Sequence, residues 1–99
     1  MYKFEWDENK EKSNIRKHGI SFKRAETVFD DPNAVYLYDE IHSEGEERFI
    51  VIGKETSLKM ETTVCHCYRG ENEEIVLIIS ARKATKKEIG IYLSGGVIQ

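Results

Sequence analysis

The stretch Ile78-Ile79-Ser80-Ala81-Arg82-Lys83-Ala84-Thr85-Lys86-Lys87-Glu88 ends an apolar run in four positive charges within six residues. Its pattern predicts a buried strand that carries Arg82 and Lys83 to an exposed end, with a helix starting at once. Cationic side chains fixed at such a corner can hold a phosphate group. Arg48 and Arg69 stand on or beside other candidate strands, and the chain has three histidines, His18, His42 and His66. These are the parts a metal-free ribonuclease needs. Attack of a ribose 2′-hydroxyl on the neighbouring phosphate requires cations to offset charge developing on the phosphorus oxygens. It also requires a general base and a general acid, for which histidine is the easiest choice near neutral pH. By sequence His18 is the best placed: cationic Arg16 and Lys17 precede it near a helix end, which suits a base, whereas His42 lies in an acidic loop. Trp6, Tyr36, Tyr38 and Tyr68 could stack on unpaired bases, or cover the core and the sheet edges.

Other chemistries find less support. Cys65-His66-Cys67 looks metallic, but strand alternation puts His66 opposite the two thiols, and no second cysteine pair completes a four-ligand zinc site. No metal and no cofactor are expected, and both cysteines are expected to be free thiols. The chain has no His-Glu-x-x-His, Walker loop, dinucleotide-binding glycine pattern or Gly-x-Ser-x-Gly elbow. Glu40, Glu44, Glu46 and Glu47, like Glu71, Glu73 and Glu74, read as solvated loop charges.

The formal net charge of -3 argues against strong nonspecific binding to nucleic acid. Its distribution is more informative. Residues 1–24 sum to +3 and residues 80–99 to +3, while residues 25–53 sum to -7 and residues 54–79 to -2. Basic ends around an acidic middle allow a two-faced molecule, one face for phosphate and the other for a basic partner. At 99 residues the chain has room for one domain, 1–99. A hydrophobic share of 39% with 33% charged residues fits a soluble globular protein rather than a disordered tail. No apolar run reaches membrane-spanning length and the first residues lack a signal-peptide core, so a cytoplasmic location is expected.

The elements that would position these groups follow from local signals. Tyr2 to Trp6 alternates as a short strand. Asp7 can cap a helix from Glu8 to His18, closed by Gly19, with Ile15 as its core contact. Ser21 can cap a second helix ending near Phe29, before Pro32. Strands are expected at 34–39, 47–53, 58–68 and 75–80; the third is polar enough for an edge or a half-exposed strand and the last apolar enough for a sheet centre. In the second of these, Phe49 and Val51 share one face, and Arg48, Ile50 and Ile52 the other. Short connections favour an antiparallel meander. Thr85 and Glu88 have capping-box spacing for a last helix, and the tail Val97-Ile98-Gln99 has no assigned element. The expected fold is α+β: an antiparallel sheet of about four strands, with two helices N-terminal and one C-terminal.

Several motifs together carry a resemblance. They are Phe4-Glu5-Trp6-Asp7 with Asn9 and Lys10, Arg16-Lys17-His18-Gly19-Ile20-Ser21-Phe22, and Ala25 with Val28-Phe29-Asp30-Asp31-Pro32. Glu47-Arg48-Phe49 with Ile52-Gly53, Arg69-Gly70, and Ile78 to Ala84 with Glu88 and Tyr92 complete the set. In order and spacing the chain resembles the BrnT family over about residues 4–93. The resemblance implies a RelE/ParE-like toxin of a type II toxin–antitoxin system, acting as a metal-independent endoribonuclease that cuts RNA and inhibits translation. It implies a BrnA-like antitoxin partner, typically in a heterotetramer that meets operator DNA only through the antitoxin. It supports His18, Arg48, Arg69 and Arg82 as catalytic residues, and Lys17 and Lys83 as substrate-binding ones; Lys86, in the basic run, and Tyr68, which could stack on a base, are further substrate-binding candidates. The chain departs from the family pattern at Tyr68, where many members carry glutamate, and at Leu77, where many carry arginine. The segment 54–61 also lacks the usual glycine-containing hairpin. These departures leave open a catalytically impaired member that acts as a protein-binding module.

Overall fold

The computed structural model describes residues 2–97. Its strands are β1 (Lys3–Trp6), β2 (Val35–Tyr38), β3 (Phe49–Lys54), β4 (Glu61–Arg69) and β5 (Ile75–Lys83). Its helices are α1 (Glu8–His18), α2 (Phe22–Glu26) and α3 (Lys86–Leu93), with a 3₁₀ turn at Thr27–Asp30. The strands form one sheet in the order β1-β5-β4-β3-β2. The antiparallel meander is present as β2 to β5. β1 enlarges it to five strands and pairs parallel to β5, so the sheet is mixed rather than antiparallel throughout. Alternation in β1 marks a strand but cannot name a partner some seventy residues away, which is why that pairing is not legible locally.

Local signals set most boundaries. Asp7 Oδ1 accepts from the amides of Asn9 (2.8 Å) and Lys10 (3.0 Å), and Gly19 ends α1 in the left-handed conformation at φ 71°. Thr85 and Glu88 form the predicted capping box of α3. The second helix is shorter than expected: it stops at Glu26 and tightens into the 3₁₀ turn before Pro32.

One sheet face is covered by α1, α2 and the 3₁₀ turn. Ile20, Phe22, Ala25 and Val28 pack there on Val51, Val64, Val76, Ile78 and Ala81. On the opposite face α3 covers only one end, where Tyr92 and Ile89 meet Ile52 and Ala84. Among the described residues the rest of that face carries no helix and is overlain only in part, by the loop between β2 and β3.

Two expectations about burial are corrected. The strand at 58–68 is not an edge: β4 lies between β3 and β5. Its polar residues tolerate burial because they are bonded, Thr62 Oγ1 to the Met60 carbonyl (2.9 Å) and Thr63 Oγ1 to Glu88 (3.0 Å). In α1 the buried residue is Asn14, while Ile15 is exposed. Asn14 Nδ2 donates to the carbonyls of Ile20 (2.9 Å) and Ala81 (2.8 Å), and its Oδ1 accepts from the Ala81 amide (3.1 Å). An amide here matches backbone groups that an aliphatic side chain would leave unpaired. Asn14→Ala should therefore cost about 1–3 kcal/mol, read as a lower midpoint in urea, because buried partners are left unpaired.

The feature that most affects the open face is a bulge. β4 and β5 pair Cys65 with Ser80 but His66 with Ile78, so Ile79 is an extra residue. Val76 and Ile78 face the helical core. Unbroken alternation would point Ser80 and Arg82 the same way. The inserted residue reverses the phase, sending Ala81 into the core and Arg82 to the open face.

His66 lies on the helical face, opposite the thiols as alternation predicts. Burial pushes its pKa down to about 4, so the ring is neutral. It packs edge-on to Phe29 and Tyr68. Among the described residues both cysteines are free, and no group of three or more His, Cys, Asp or Glu is gathered to hold a metal ion.

Candidate active site

The open face carries a cleft of about 260 Å³. β3 delivers Arg48 and Ile50 to it, β4 delivers Thr63 and Cys65, and the bulged part of β5 delivers Ile79, Ser80 and Arg82. The loop between β2 and β3 adds Asp39 and His42. That loop is tied at its base. The Asp39 amide donates to the Arg48 carbonyl (2.9 Å), and the Arg48 amide to Ser43 Oγ (2.9 Å). His42 Nδ1 lies 2.9 Å from Asp39 Oδ2. A carboxylate can only accept, so Nδ1 carries a proton, and Nε2 is the ring nitrogen not engaged by Asp39.

Arg82 is held end-on by Glu88, with Nη1 donating to Oε1 (2.7 Å) and Nη2 to Oε2 (3.0 Å). The same carboxylate accepts from the Thr85 amide (2.9 Å) and from Thr63 Oγ1 (3.0 Å). Burial disfavours the Glu88 charge, but these hydrogen bonds, led by that from Arg82, outweigh it and lower its pKa to about 2. Glu88 thus joins the α3 cap to the arginine, and the remaining guanidinium N–H groups stay available. Burial raises the pKa of Cys65 although Arg48 and Arg82 oppose it, which disfavours the thiolate.

The sequence-predicted residues divide between the two faces. Arg48 and Arg82 meet in the cleft. Arg69 shares the open face by alternation along β4, but stands at its end, paired with Glu46 and outside the cleft lining. Lys86 opens α3 on the same side, exposed. His18 and Lys17 are exposed in the last turn of α1, on the helical side of the sheet. Lys83 alternates away from Arg82 and pairs with Thr62. Tyr68 also lies on the helical face, with its hydroxyl 3.2 Å from His66 Nε2. Of the two single-residue departures from the family pattern, only Leu77 therefore lies on the open face, opposite Cys67. Sequence reasoning set His42 aside because its loop is acidic. What it did not use was the position of one of those acids, Asp39, three residues before it, a spacing that lets an aspartate bond back within a turn and orient the ring.

Topology, helix placement and an arginine-lined open sheet face define a RelE/ParE-like toxin fold. The crystal structure of the Brucella abortus ribonuclease toxin, BrnT, determined at 1.1 Å resolution, superposes with a TM-score of 0.65 at 27% identity. That match covers 87% of this chain and 100% of the Brucella chain. No curated protein matches the chain. The family described as "Ribonuclease toxin, BrnT, of type II toxin-antitoxin system" matches residues 6–88, and the chain belongs to that family.

Proposed function

We propose that this chain is a metal-independent endoribonuclease that inhibits translation by cutting RNA and is neutralised by a BrnA-like antitoxin. The observation that carries the reading is the convergence of Arg48, Arg82 and the Asp39-oriented His42 in one cleft. Arg82 and Arg48 bind the scissile phosphate. His42 Nε2 takes the proton of the 2′-hydroxyl as O2′ bonds to phosphorus and the bond to the 5′-oxygen breaks. The two guanidinium groups offset charge on the non-bridging oxygens. The proton returns from His42 to the departing 5′-oxygen, directly or through water, leaving a 2′,3′-cyclic phosphate and a 5′-hydroxyl end. Arg69 and Lys86 bind RNA backbone beyond the cut. His18, Lys17, Lys83 and Tyr68 take no part in the chemistry.

The test is cleavage of labelled RNA by the purified chain in excess chelator. Cyclic phosphate ends are expected. Arg82→Ala should slow cleavage about 10²–10³-fold, the usual cost of removing one donor to a developing oxyanion. Dependence on added divalent metal, or an unchanged rate in Arg82→Ala, would reject the assignment. A second reading, a protein-binding module with impaired catalysis, is favoured by Leu77, which puts an aliphatic side chain on the open face. Absence of cleavage by the unmodified chain would select it.

A further inference from the structure

The helical face holds a second depression, outside the cleft. Beyond the 3₁₀ turn, a groove of about 400 Å³ is lined by Tyr2, Tyr36, Tyr38, Phe49 and Tyr68, with Leu37 at its margin. Three of these rings are unusually open for their size: Tyr2 is 44% exposed, Tyr36 44% and Tyr38 52%. The rings are packed against one another. Tyr2 meets Tyr68 at 5.8 Å between centroids, Phe49 meets Tyr68 at 5.3 Å, and Tyr38 meets Phe49 at 5.5 Å. None of the lining residues is Lys or Arg. The fold gains little from leaving three tyrosines half in water, two of them, Tyr36 and Tyr38, on the edge strand β2. A surface of this kind marks contact with another molecule.

The surrounding charge selects the occupant. Residues 25–53, which carry Tyr36, Tyr38 and Phe49, sum to -7. Burial raises the pKa of the Tyr36 and Tyr68 hydroxyls, and Tyr2 with the carboxylates of Asp30 (for Tyr36) and Glu73 (for Tyr68) adds to it. Aromatic faces with Asp30 and Glu73 nearby and no cation among the lining residues attract a cation and disfavour a phosphate backbone. We infer that this groove receives an arginine or lysine side chain from a basic segment of the protein antitoxin, and that it is separate from the RNA cleft. The inference rests on the partner-binding half of the proposed function and not on its ribonuclease half. It places antitoxin contact on one face of the sheet and RNA chemistry on the other. Tyr36 and Tyr38 sit on an edge strand that pairs only with β3 among the described residues, so a partner segment can reach them from outside the sheet.

The test uses the full chain and a capped tetra-arginine peptide, followed by NMR of the tyrosine and Phe49 ring protons. Shifts are expected at Tyr2, Tyr36, Tyr38, Phe49 and Tyr68, and not with a tetra-glutamate peptide. The double variant Tyr36→Ala/Tyr38→Ala should bind the peptide about tenfold more weakly, from loss of two cation–π faces. Its RNA cleavage should be unchanged, which also shows that it folds. The inference is overturned if the arginine peptide leaves these rings unmoved, or if the double variant binds it equally well. It is overturned too if an oligoadenylate RNA moves the rings, which would make the groove an RNA surface. Ring shifts that grow with protein concentration alone would assign it to a second copy of the chain and reject the antitoxin. Loss of ribonuclease activity in the unmodified chain would bear on the proposed catalysis and leave this result standing.

Discussion

His42→Ala should slow RNA cleavage by about 10²–10⁴-fold, the usual contribution of a positioned acid–base group, while His18→Ala should leave it within about twofold. Both histidines are exposed, so neither substitution opens a cavity, and a fall in rate reports chemistry rather than folding. The difference between them is position. His42 shares a cleft with Arg48 and Arg82 and is oriented by Asp39 at 2.9 Å. His18 ends α1, on the far side of the sheet from both arginines, and among the described residues its ring has no hydrogen-bonding partner. Single-turnover cleavage of a labelled RNA separates chemistry from product release. Asp39→Asn should reproduce part of the His42 effect, because an amide no longer demands a proton on Nδ1 and the ring loses its fixed tautomer. An equal loss in His18→Ala would move the base to the helical face, and the cleft would lose its assignment.

The separation of His18 from the cleft arginines has the same origin as the rest of what local reading missed. Helix ends were legible because their signals are local. Asp7, Gly19, Ser21, Thr85 and Glu88 bond within a few residues of themselves, so the boundaries of α1 and the start of α3 follow from types and spacing alone. Strand alternation was legible where it is unbroken, and it placed Arg48 on the face opposite Phe49 and Val51. It fails at Ile79, because a bulge leaves no mark in an apolar run and yet decides which way Arg82 points. Asn14 and Ile15 exchanged roles because the backbone groups that Asn14 satisfies belong to Ile20 and Ala81, one of them on a strand 67 residues away. Polar residues of β4 suggested an edge because their bonding partners are equally remote. Parallel pairing of β1 is of the same kind. The arginines of the cleft could thus be named from sequence, but the face they share, and the histidine that shares it, depend on contacts between distant segments.

Glu55→Ala should be among the most destabilising single substitutions in the chain, by about 3–5 kcal/mol, because it removes a buried carboxylate that holds together one end of the fold. The segment between β3 and β4 lacks the glycine-containing hairpin common in the family. Lys59 supplies the left-handed turn residue instead, at φ 56°. The Glu55 side chain, fully buried, ties that turn shut. Its Oε2 accepts from the amides of Leu58 (2.8 Å) and Met60 (3.0 Å). Its Oε1 accepts from Arg24 Nε (3.2 Å) and from the Ser57 hydroxyl. Alanine would strand two amides and the Arg24 guanidinium, whose Nη2 is already buried without a partner among the described residues. Burial disfavours the Glu55 charge, yet the Met60 amide, Ser57, the Leu58 amide and Arg24 together lower its pKa to about 2, from 4.5. A carboxylate whose folded pKa is depressed stabilises the fold above its unfolded value and ceases to do so as pH falls through the folded one. The contribution is therefore complete above about pH 5 and fades toward pH 2, amounting to about 3 kcal/mol of the total. Glu88, also lowered to about 2, fades in the same window, so acid unfolding of the unmodified chain reports both groups. Comparison with the variant isolates Glu55. In urea at pH 7 the midpoint of Glu55→Ala should lie well below that of the unmodified chain, and the gap should narrow at pH 3. A gap that stays constant between pH 7 and pH 3 would mean that the carboxylate charge contributes nothing, and that the loss on truncation is one of packing alone.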